Sequence, residues 1–146
     1  ATELEKKLSE LAAEKTIENI DNIIKDKMKL KEQDHSKATY AEKINKKEGK
    51  ITWNDDPKKI IGKINGLHPT PGAYFIFNGD RYKILKAEIG NGSGFPGEVL
   101  NDKLEIACSN NESIKVIEIQ KEGKKIQKIN EFLNGSKINK GCTLNE

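Results

Sequence analysis

The chemistry that this sequence offers lies in its lysines rather than in a catalytic set of side chains. The two histidines, His35 and His68, stand far apart, and no Ser/His/Asp or Cys/His arrangement is indicated by spacing. Neither cysteine has a metal-ligand neighbour at useful spacing, so no metal site is predicted. Lysine ammonium groups suit sequence-independent contact with phosphates. A polyanion is therefore the first class of partner to consider.

Positive charge is distributed unevenly along the chain. The 146 residues carry a net charge of +3. Residues 1–40 hold 8 basic and 9 acidic side chains, whereas residues 41–146 hold 18 basic and 14 acidic ones. Arg81 is the only arginine, which argues against extensive bidentate reading of bases. The excess on the second part favours a polyanion partner, although a lysine-rich coding bias explains bulk charge equally well.

The segment from residue 51 to residue 77 contains the strongest local signals. A short strand around Trp53 is predicted to lead into a helix. Asp55 or Asp56 is placed to cap that helix, and Pro57 fits its first position. We expect Gly66 to end the helix in a left-handed conformation. The helix positions an apolar face at helical spacing, made of Ile60, Ile61, Ile64 and Leu67.

A proline-braced turn over residues 68–72 should then direct the chain into a series of short strands. Asn78-Gly79 predicts a hairpin between strands at 73–77 and 81–89. The apolar residues of the second strand change phase, which predicts a bulge. Further predictions are a hairpin of residues 97–100 and 103–108, a strand at 113–120, a short helix at 129–133 and an edge strand within 137–146. Such spacing indicates a small barrel, without separating an OB-fold from an SH3-like one.

The first 40 residues are predicted to be helical and then polar. Leu4, Leu8 and Leu11 lie on one helical face, and a second face containing Ile17 and Ile20 points roughly the opposite way. We therefore expect two helices that meet near residues 13–15. Residues 25–39 are charged and polar, as is typical of a linker.

Neither a membrane-spanning apolar run nor a secretory leader is found in the sequence. A soluble, cytoplasmic protein is therefore expected. Cys108 alternates with Leu104 and Ile106, which predicts a buried free thiol rather than a reactive one.

Several short motifs follow one another along the chain. One is a Trp-containing strand, a helix and a Pro-Thr-Pro-Gly-Ala-Tyr turn at residues 69–74. The others are Ala-Thr-Tyr-Ala-Glu-Lys-Ile at 38–44, Pro-Gly-Glu-Val-Leu at 96–100, Gly-Lys-Lys at 123–125 and Glu-Phe-Leu-Asn-Gly at 131–135. In their order along the chain they resemble the C-terminal domain of the methionyl-tRNA formyltransferase family, and the resemblance covers nearly the whole chain.

The resemblance implies a mainly β fold with helices, an OB-like small barrel preceded by an N-terminal helical segment. Residues 1–37 would be the last helices of a catalytic domain and a linker, and residues 38–146 the tRNA-binding domain. The implied partners are initiator methionyl-tRNA and a preceding catalytic domain, with no membrane and a monomeric state. The formyl donor of such an enzyme is 10-formyltetrahydrofolate. The family's catalytic motifs do not occur here, so no catalytic residue is assigned and the fragment alone should be inactive.

RNA contacts are expected from basic residues near the linker, on the hairpin and on a basic turn. Arg81 and Lys83 share one strand face, which predicts a local patch. Tyr40 and Tyr74 are further candidates for base stacking, with core packing the preferred role for Tyr74. The predicted RNA-binding residues are Lys46, Lys47, Lys50, Arg81, Lys83, Lys86, Lys121, Lys124 and Lys125.

Two alternatives stay open. One is the same domain attached to another folate-dependent formyltransferase that acts on folate or a sugar nucleotide. The other is a stand-alone barrel that binds RNA or a protein. The apolar face at residues 4–12, which nothing in the chain obviously covers, counts against the second alternative.

Overall fold

A computed structural model describes residues 2–144, and these residues divide into two compact units at the boundary between Ile44 and Asn45. The first unit is dominated by helix α1, Thr2–Ile24, none of whose described residues is buried. A short 3-10 turn, His35–Lys37, follows, and Asp34 caps it by accepting a hydrogen bond from the Ser36 N–H. None of the described helices is both long and apolar enough to cross a membrane.

The prediction of two N-terminal helices is wrong, because α1 is continuous. Residues 12–16 contain neither glycine nor proline, so nothing interrupts the backbone hydrogen bonds. The Thr16 hydroxyl donates to the Ala12 carbonyl at 2.7 Å across the predicted break, and Lys15 pairs with Glu18 at 2.7 Å in the next turn of the helix. A change of apolar face does not by itself end a helix.

The second unit is built around one antiparallel sheet. Its strands are β1 (Ala73–Phe77), β2 (Asp80–Ile89), β3 (Glu105–Ala107), β4 (Ser113–Lys121) and β5 (Gln127–Lys128). They follow the order β1-β2-β4-β3, and β5 pairs with β4. Helices α2 (Pro57–Leu67) and α3 (Ile129–Leu133) contribute Ile60, Ile64 and Phe132 to the core. The predicted class, mainly β with helices after an N-terminal helical segment, is confirmed.

Helix α2 begins as predicted but ends differently. The Asp56 side chain accepts a hydrogen bond from the Lys58 N–H at 2.8 Å, and Pro57 occupies the first turn. The helix continues through Gly66 to Leu67, so the predicted glycine terminus is wrong. Termination follows from His68, which precedes a proline and is extended. The left-handed residue is Gly72 (φ 84°), whose N–H donates to the Leu67 carbonyl at 2.9 Å.

The predicted β1–β2 hairpin and its bulge are confirmed. Asn78 and Gly79 both have positive φ, and they join the paired residues Phe77 and Asp80. The register between β2 and β4 shifts around Lys86. Because of this shift, the neighbouring residues Ile84 and Leu85 are both buried. The bend lets one strand supply apolar side chains on both of its faces.

The strand predicted at 113–120 is confirmed as β4, whereas two other predicted strands are reduced to single bridges. The strand expected around Trp53 is reduced to a bridge between Lys50 and Tyr74. Residues 97–100 pair with β3 through the Val99–Ile106 bridge rather than as a full strand. The tail does pair at the edge, with Thr143 opposite Glu98, and residues 145–146 lie outside the described part. The Trp53 indole N–H donates to the Leu144 carbonyl at 2.9 Å and so fixes the end of the described chain to the core.

Candidate nucleic-acid interface

The outward face of the β1–β2 hairpin carries the only arginine of the chain. Ala73, Phe75 and Phe77 are buried, so the alternating residues of β1 point outward. Tyr74 is opposite Lys83, and Ile76 is opposite Arg81. Arg81 and Lys83 therefore share one face, as predicted. The guanidinium carbon of Arg81 lies 3.7 Å from the Tyr74 ring centroid.

Tyr74 is therefore not a core residue, and that prediction is wrong. The tyrosine is half-buried on the outward face, with the Arg81 guanidinium over its ring. Cation–π contact and stacking hold a planar guanidinium in a defined orientation. Tyr40, the other proposed stacking residue, is 95% exposed in the first unit.

Two glycines bring separate segments close to this stack. A Cβ atom on Gly49 would lie 3.3 Å from the Tyr74 ring, so the Lys46–Gly49 3-10 turn packs closely against that ring. A Cβ atom on Gly72 would lie 3.0 Å from Cδ of Lys83, so the aliphatic stem of Lys83 crosses that glycine. Both close contacts are possible because glycine has no side chain.

The 3-10 turn that carries Lys46 is itself capped at its start. The Asn45 side chain accepts a hydrogen bond from the Lys47 N–H at 3.0 Å. The Glu48 carboxylate accepts one from the Asn45 N–H at 2.6 Å. This capping box fixes the backbone of the turn and commits Glu48 locally, so the turn presents Lys46 from a defined position.

These segments enclose a recess of about 330 Å³, which we call the Arg81 recess. Among residues 2–144, Arg81 forms no ion pair with a carboxylate, and its buried Nε has no hydrogen-bond partner. One acidic residue, Glu122, lines the recess together with three basic ones. The complete lining is Lys46, Thr70, Pro71, Arg81, Lys83, Gln120, Glu122 and Gly123.

The basic turn after β4 lies beside the recess. Gly123 has a φ of 73°, and the Lys124 N–H donates to the Lys121 carbonyl at 3.0 Å. Lys124 and Lys125 are exposed. Lys121 is different, because its ammonium forms an ion pair with Asp80 at 2.5 Å. That hydrogen bond raises the pKa of Lys121 and engages its charge within the protein.

The other predicted residues lie in two further places. Lys47 and Lys50 border a groove beside Trp53. Lys63 of α2 borders the same groove and donates to the Lys50 carbonyl at 2.8 Å. Lys86 is exposed on β2 and is paired in register with Glu118 of β4. The nine predicted residues therefore form three neighbouring groups and one separate lysine.

Several residues of these sites, Glu122 among them, are not singled out from the sequence. Gln120 and Thr70 line the Arg81 recess, and Lys63 joins the groove. Lys63 is three residues after the core residue Ile60, so helical spacing places it at the edge of the buried face of α2, and the lysine is half-buried. Gln120 is opposite Lys83 in the sheet, and this pairing between distant strands has no local sequence signal.

Two other groups with shifted pKa values, Cys108 and Glu105, are buried and lie outside the candidate interface. Cys108 is buried, as predicted, and burial raises the pKa of its thiol to about 12. Burial alone would raise the pKa of Glu105, but hydrogen bonds from Ser113, Gly92, Asn101 and Asn91 together hold it below its usual value. Within residues 2–144, no group of three His, Cys, Asp or Glu side chains is placed to hold a metal ion.

Comparison with known proteins identifies relatives over almost the whole chain. The methionyl-tRNA formyltransferase of Pelagibacter ubique is 62% identical over 138 residues, which are 94% of this chain and 44% of that protein. The methionyl-tRNA formyltransferase of Rickettsia prowazekii is 44% identical over 147 residues, which are 97% of this chain and 46% of that protein. The chain therefore spans about half the length of the curated relatives it matches.

Solved structures support the fold. HypX from Aquifex aeolicus in complex with tetrahydrofolic acid superposes with a TM-score of 0.65 at 19% identity, over 90% of this chain and 26% of HypX. A variant of the same protein gives a TM-score of 0.64 at 21% identity, over 85% of this chain and 24% of that one. At this level of identity the likeness concerns the fold alone.

A family profile described as "Formyl transferase, C-terminal domain" matches residues 43–137. That range includes β1 to β5, both helices of the second unit and all nine predicted basic residues. The resemblance inferred from the motifs is thereby confirmed, and the chain belongs to the family of formyl transferase C-terminal domains.

Proposed function

We propose that this chain is the tRNA-holding part of a methionyl-tRNA formyltransferase and that it positions the acceptor arm of initiator methionyl-tRNA for N-formylation at the start of translation. The observation that carries the proposal is the Arg81 recess, where Arg81, Lys83 and Lys46 line one depression and Arg81 pairs with no carboxylate of residues 2–144. Cations without internal partners keep their full charge for an external anion.

The surrounding lysines suit backbone recognition. Lys124 and Lys125 lie beyond the recess on the basic turn, and Lys47, Lys50 and Lys63 border the groove on another side. Point charges on flexible stems neutralise phosphates without reading sequence. The contribution to catalysis would be positioning, because holding the acceptor end near its reaction partner replaces a bimolecular encounter.

The reaction itself belongs to other parts of such an enzyme. Bound 10-formyltetrahydrofolate would supply the formyl group, and the methionine amine of the tRNA would receive it. Three basic residues and Glu122 line the Arg81 recess, and Pro71 is its one apolar side chain, so it does not fit a pterin ring. Residues 1–37 would complete the catalytic domain, and residues 38–146 would hold the tRNA in a monomeric, cytoplasmic enzyme.

Binding of the full 146-residue chain to initiator tRNA across a salt series tests the proposal. An elongator tRNA and an unstructured RNA serve as competitors. We expect binding that weakens steeply as salt rises, because each neutralised phosphate releases a counterion. We also expect folded tRNA to be preferred over unstructured RNA. Lys103→Gln is a control for the loss of one positive charge. It should bind tRNA like the unmodified chain, since this exposed lysine lies in the turn before β3, outside the predicted RNA-binding set.

The alternatives predict different results. A stand-alone barrel that binds protein would show no RNA binding at low salt. The C-terminal domain of a formyltransferase acting on folate or a sugar nucleotide would bind without preference for tRNA. The exposed apolar residues of α1, such as Leu8 at 56% and Ile17 at 75%, are unusual for an independent protein and favour the tRNA enzyme over the stand-alone barrel.

A further inference from the structure

We propose that the Arg81 recess binds the terminal 5′-phosphate of an RNA, rather than a phosphodiester within a strand. This inference rests on the proposed function and assigns a specific chemical group to one part of the interface. The other lysines would then contact the phosphodiester backbone and supply the remaining, salt-dependent part of the RNA-binding free energy.

The net charge of the residues that line the recess favours a phosphate monoester. Three cationic side chains, from Lys46, Arg81 and Lys83, and one carboxylate, that of Glu122, line the recess. An internal phosphodiester carries a single negative charge, whereas a phosphate monoester carries about −1.5 to −2 at neutral pH. The net formal charge of the lining matches the monoester better than the diester.

The guanidinium of Arg81 is held in place before any anion binds. The Tyr74 ring holds the guanidinium from one side at 3.7 Å, and the chain supplies no carboxylate to it within the described residues. A guanidinium presents its donors in a fixed fork that matches two phosphate oxygens. An arginine fixed in this way binds an anion with less loss of side-chain entropy than a free lysine does.

The shape of the recess favours the end of an RNA strand over its interior. The recess is walled by four segments that are distant in sequence: the Lys46–Gly49 turn, the turn at Thr70 and Pro71, strand β2, and the end of β4 with its following turn. Its volume of about 330 Å³ accommodates a phosphate and part of its nucleotide. A duplex strand continues on both sides of every internal phosphate, and so it suits an open groove. A walled depression suits a chain end.

The test compares three versions of one hairpin RNA, which carry a 5′-phosphate, a 5′-hydroxyl or a 5′-O-methyl phosphate. Dissociation constants with the full chain are measured at one salt concentration. We expect the 5′-phosphate to strengthen binding about tenfold over the 5′-hydroxyl, as one added charge-assisted contact would. The methyl phosphate is a diester and should recover only part of that gain.

Variants locate the effect. Arg81→Gln and, separately, Lys83→Gln should make the three RNAs bind alike, while Lys103→Gln should keep the tenfold difference. Using two recess variants guards against loss of folding in one, and circular dichroism checks both. Equal binding of the three RNAs to the unmodified chain would overturn the inference and leave the proposed function standing. Failure of every RNA to bind would overturn both, and a gain that survives in both recess variants would place the phosphate elsewhere.

Discussion

The guanidinium of Arg81 lies over the ring of Tyr74, 3.7 Å from the ring centroid, on the face of the sheet that points away from the core. The two residues come from adjacent strands of a hairpin whose turn, Asn78-Gly79, is specified locally. The same hairpin buries Phe75 against Tyr82, with ring centroids 5.4 Å apart. One element therefore supports the core on one face and a candidate phosphate site on the other.

Replacing Tyr74 tests whether the stack matters for binding. Tyr74→Phe keeps the ring and should leave RNA affinity unchanged. Tyr74→Leu removes the π face, and exposed cation–π contacts contribute about 0.5–1 kcal/mol, so we expect affinity to fall by a factor of about 2–5. Fluorescence anisotropy with labelled tRNA measures both. Equal affinity of the two variants would mean that the stack does not orient Arg81 for binding.

The basic turn contains lysines with different expected effects. Lys124→Glu combined with Lys125→Glu should weaken tRNA binding and lower the salt slope by about one to two units, since each phosphate contact contributes about 0.9. Lys121→Gln should change binding much less, because its ammonium is already paired with Asp80. Salt titrations of the variants give the slopes. Unchanged binding of the double variant would remove this turn from the site.

Glu105 is predicted to make the stability of the fold pH-dependent. Its folded pKa is held below the usual 4.5, because four hydrogen bonds outweigh the effect of burial. The carboxylate therefore stabilises the fold above the unfolded-state pKa, and this contribution is lost as pH falls through the lower folded pKa. Glu105→Gln should cost about 1–3 kcal/mol near pH 7 and progressively less in acid.

Urea denaturation of both proteins between pH 3 and pH 7 measures this difference. The free energies of unfolding should converge as pH falls. Asp102→Asn is a suitable control, because its exposed carboxylate lies three residues before Glu105, in the turn that precedes β3. A constant difference across the pH range would show that the Glu105 charge contributes nothing and that only its shape matters.

The two cysteines should differ in reactivity. Cys108 is 1% exposed and burial raises the pKa of its thiol to about 12, whereas Cys142 is half-buried. Because the thiolate is the reactive form, a disulfide reagent should modify one thiol per native chain and two after denaturation. Cys142→Ser should leave no thiol that reacts in the native state. Modification of Cys108 at the rate of Cys142 would contradict its burial.

Local signals account for the elements that the sequence predicts well. Asp56-Pro57 starts α2, Asn78-Gly79 closes the hairpin, and the phase change in β2 marks its bulge. The prediction that Tyr74 packs in the core is wrong because both faces of β1 carry large apolar residues. Alternation alone therefore does not show which face of the strand is buried. The continuity of α1 was missed because a change of apolar face was taken for a break.

The recess, in contrast, depends on long-range packing. Gly49 and Gly72 are ordinary loop glycines in the sequence, and their role appears only when Tyr74 and the Lys83 stem lie against them. Arg81 and Lys83 share a strand face, which alternation predicts, but Lys46 joins them through the fold. Charge clusters in a sequence thus identify candidate residues without identifying which of them meet.

Lysine footprinting with and without initiator tRNA shows directly whether the outward face of the β1–β2 hairpin holds the RNA. Chemical acylation followed by mass spectrometry reports the protection of each lysine by bound RNA. We expect strong protection of Lys46 and Lys83, which line the Arg81 recess, and little protection of the exposed Lys103. Equal protection of all three lysines, or protection of Lys103 alone, would contradict the claim that the outward face of the β1–β2 hairpin holds the RNA.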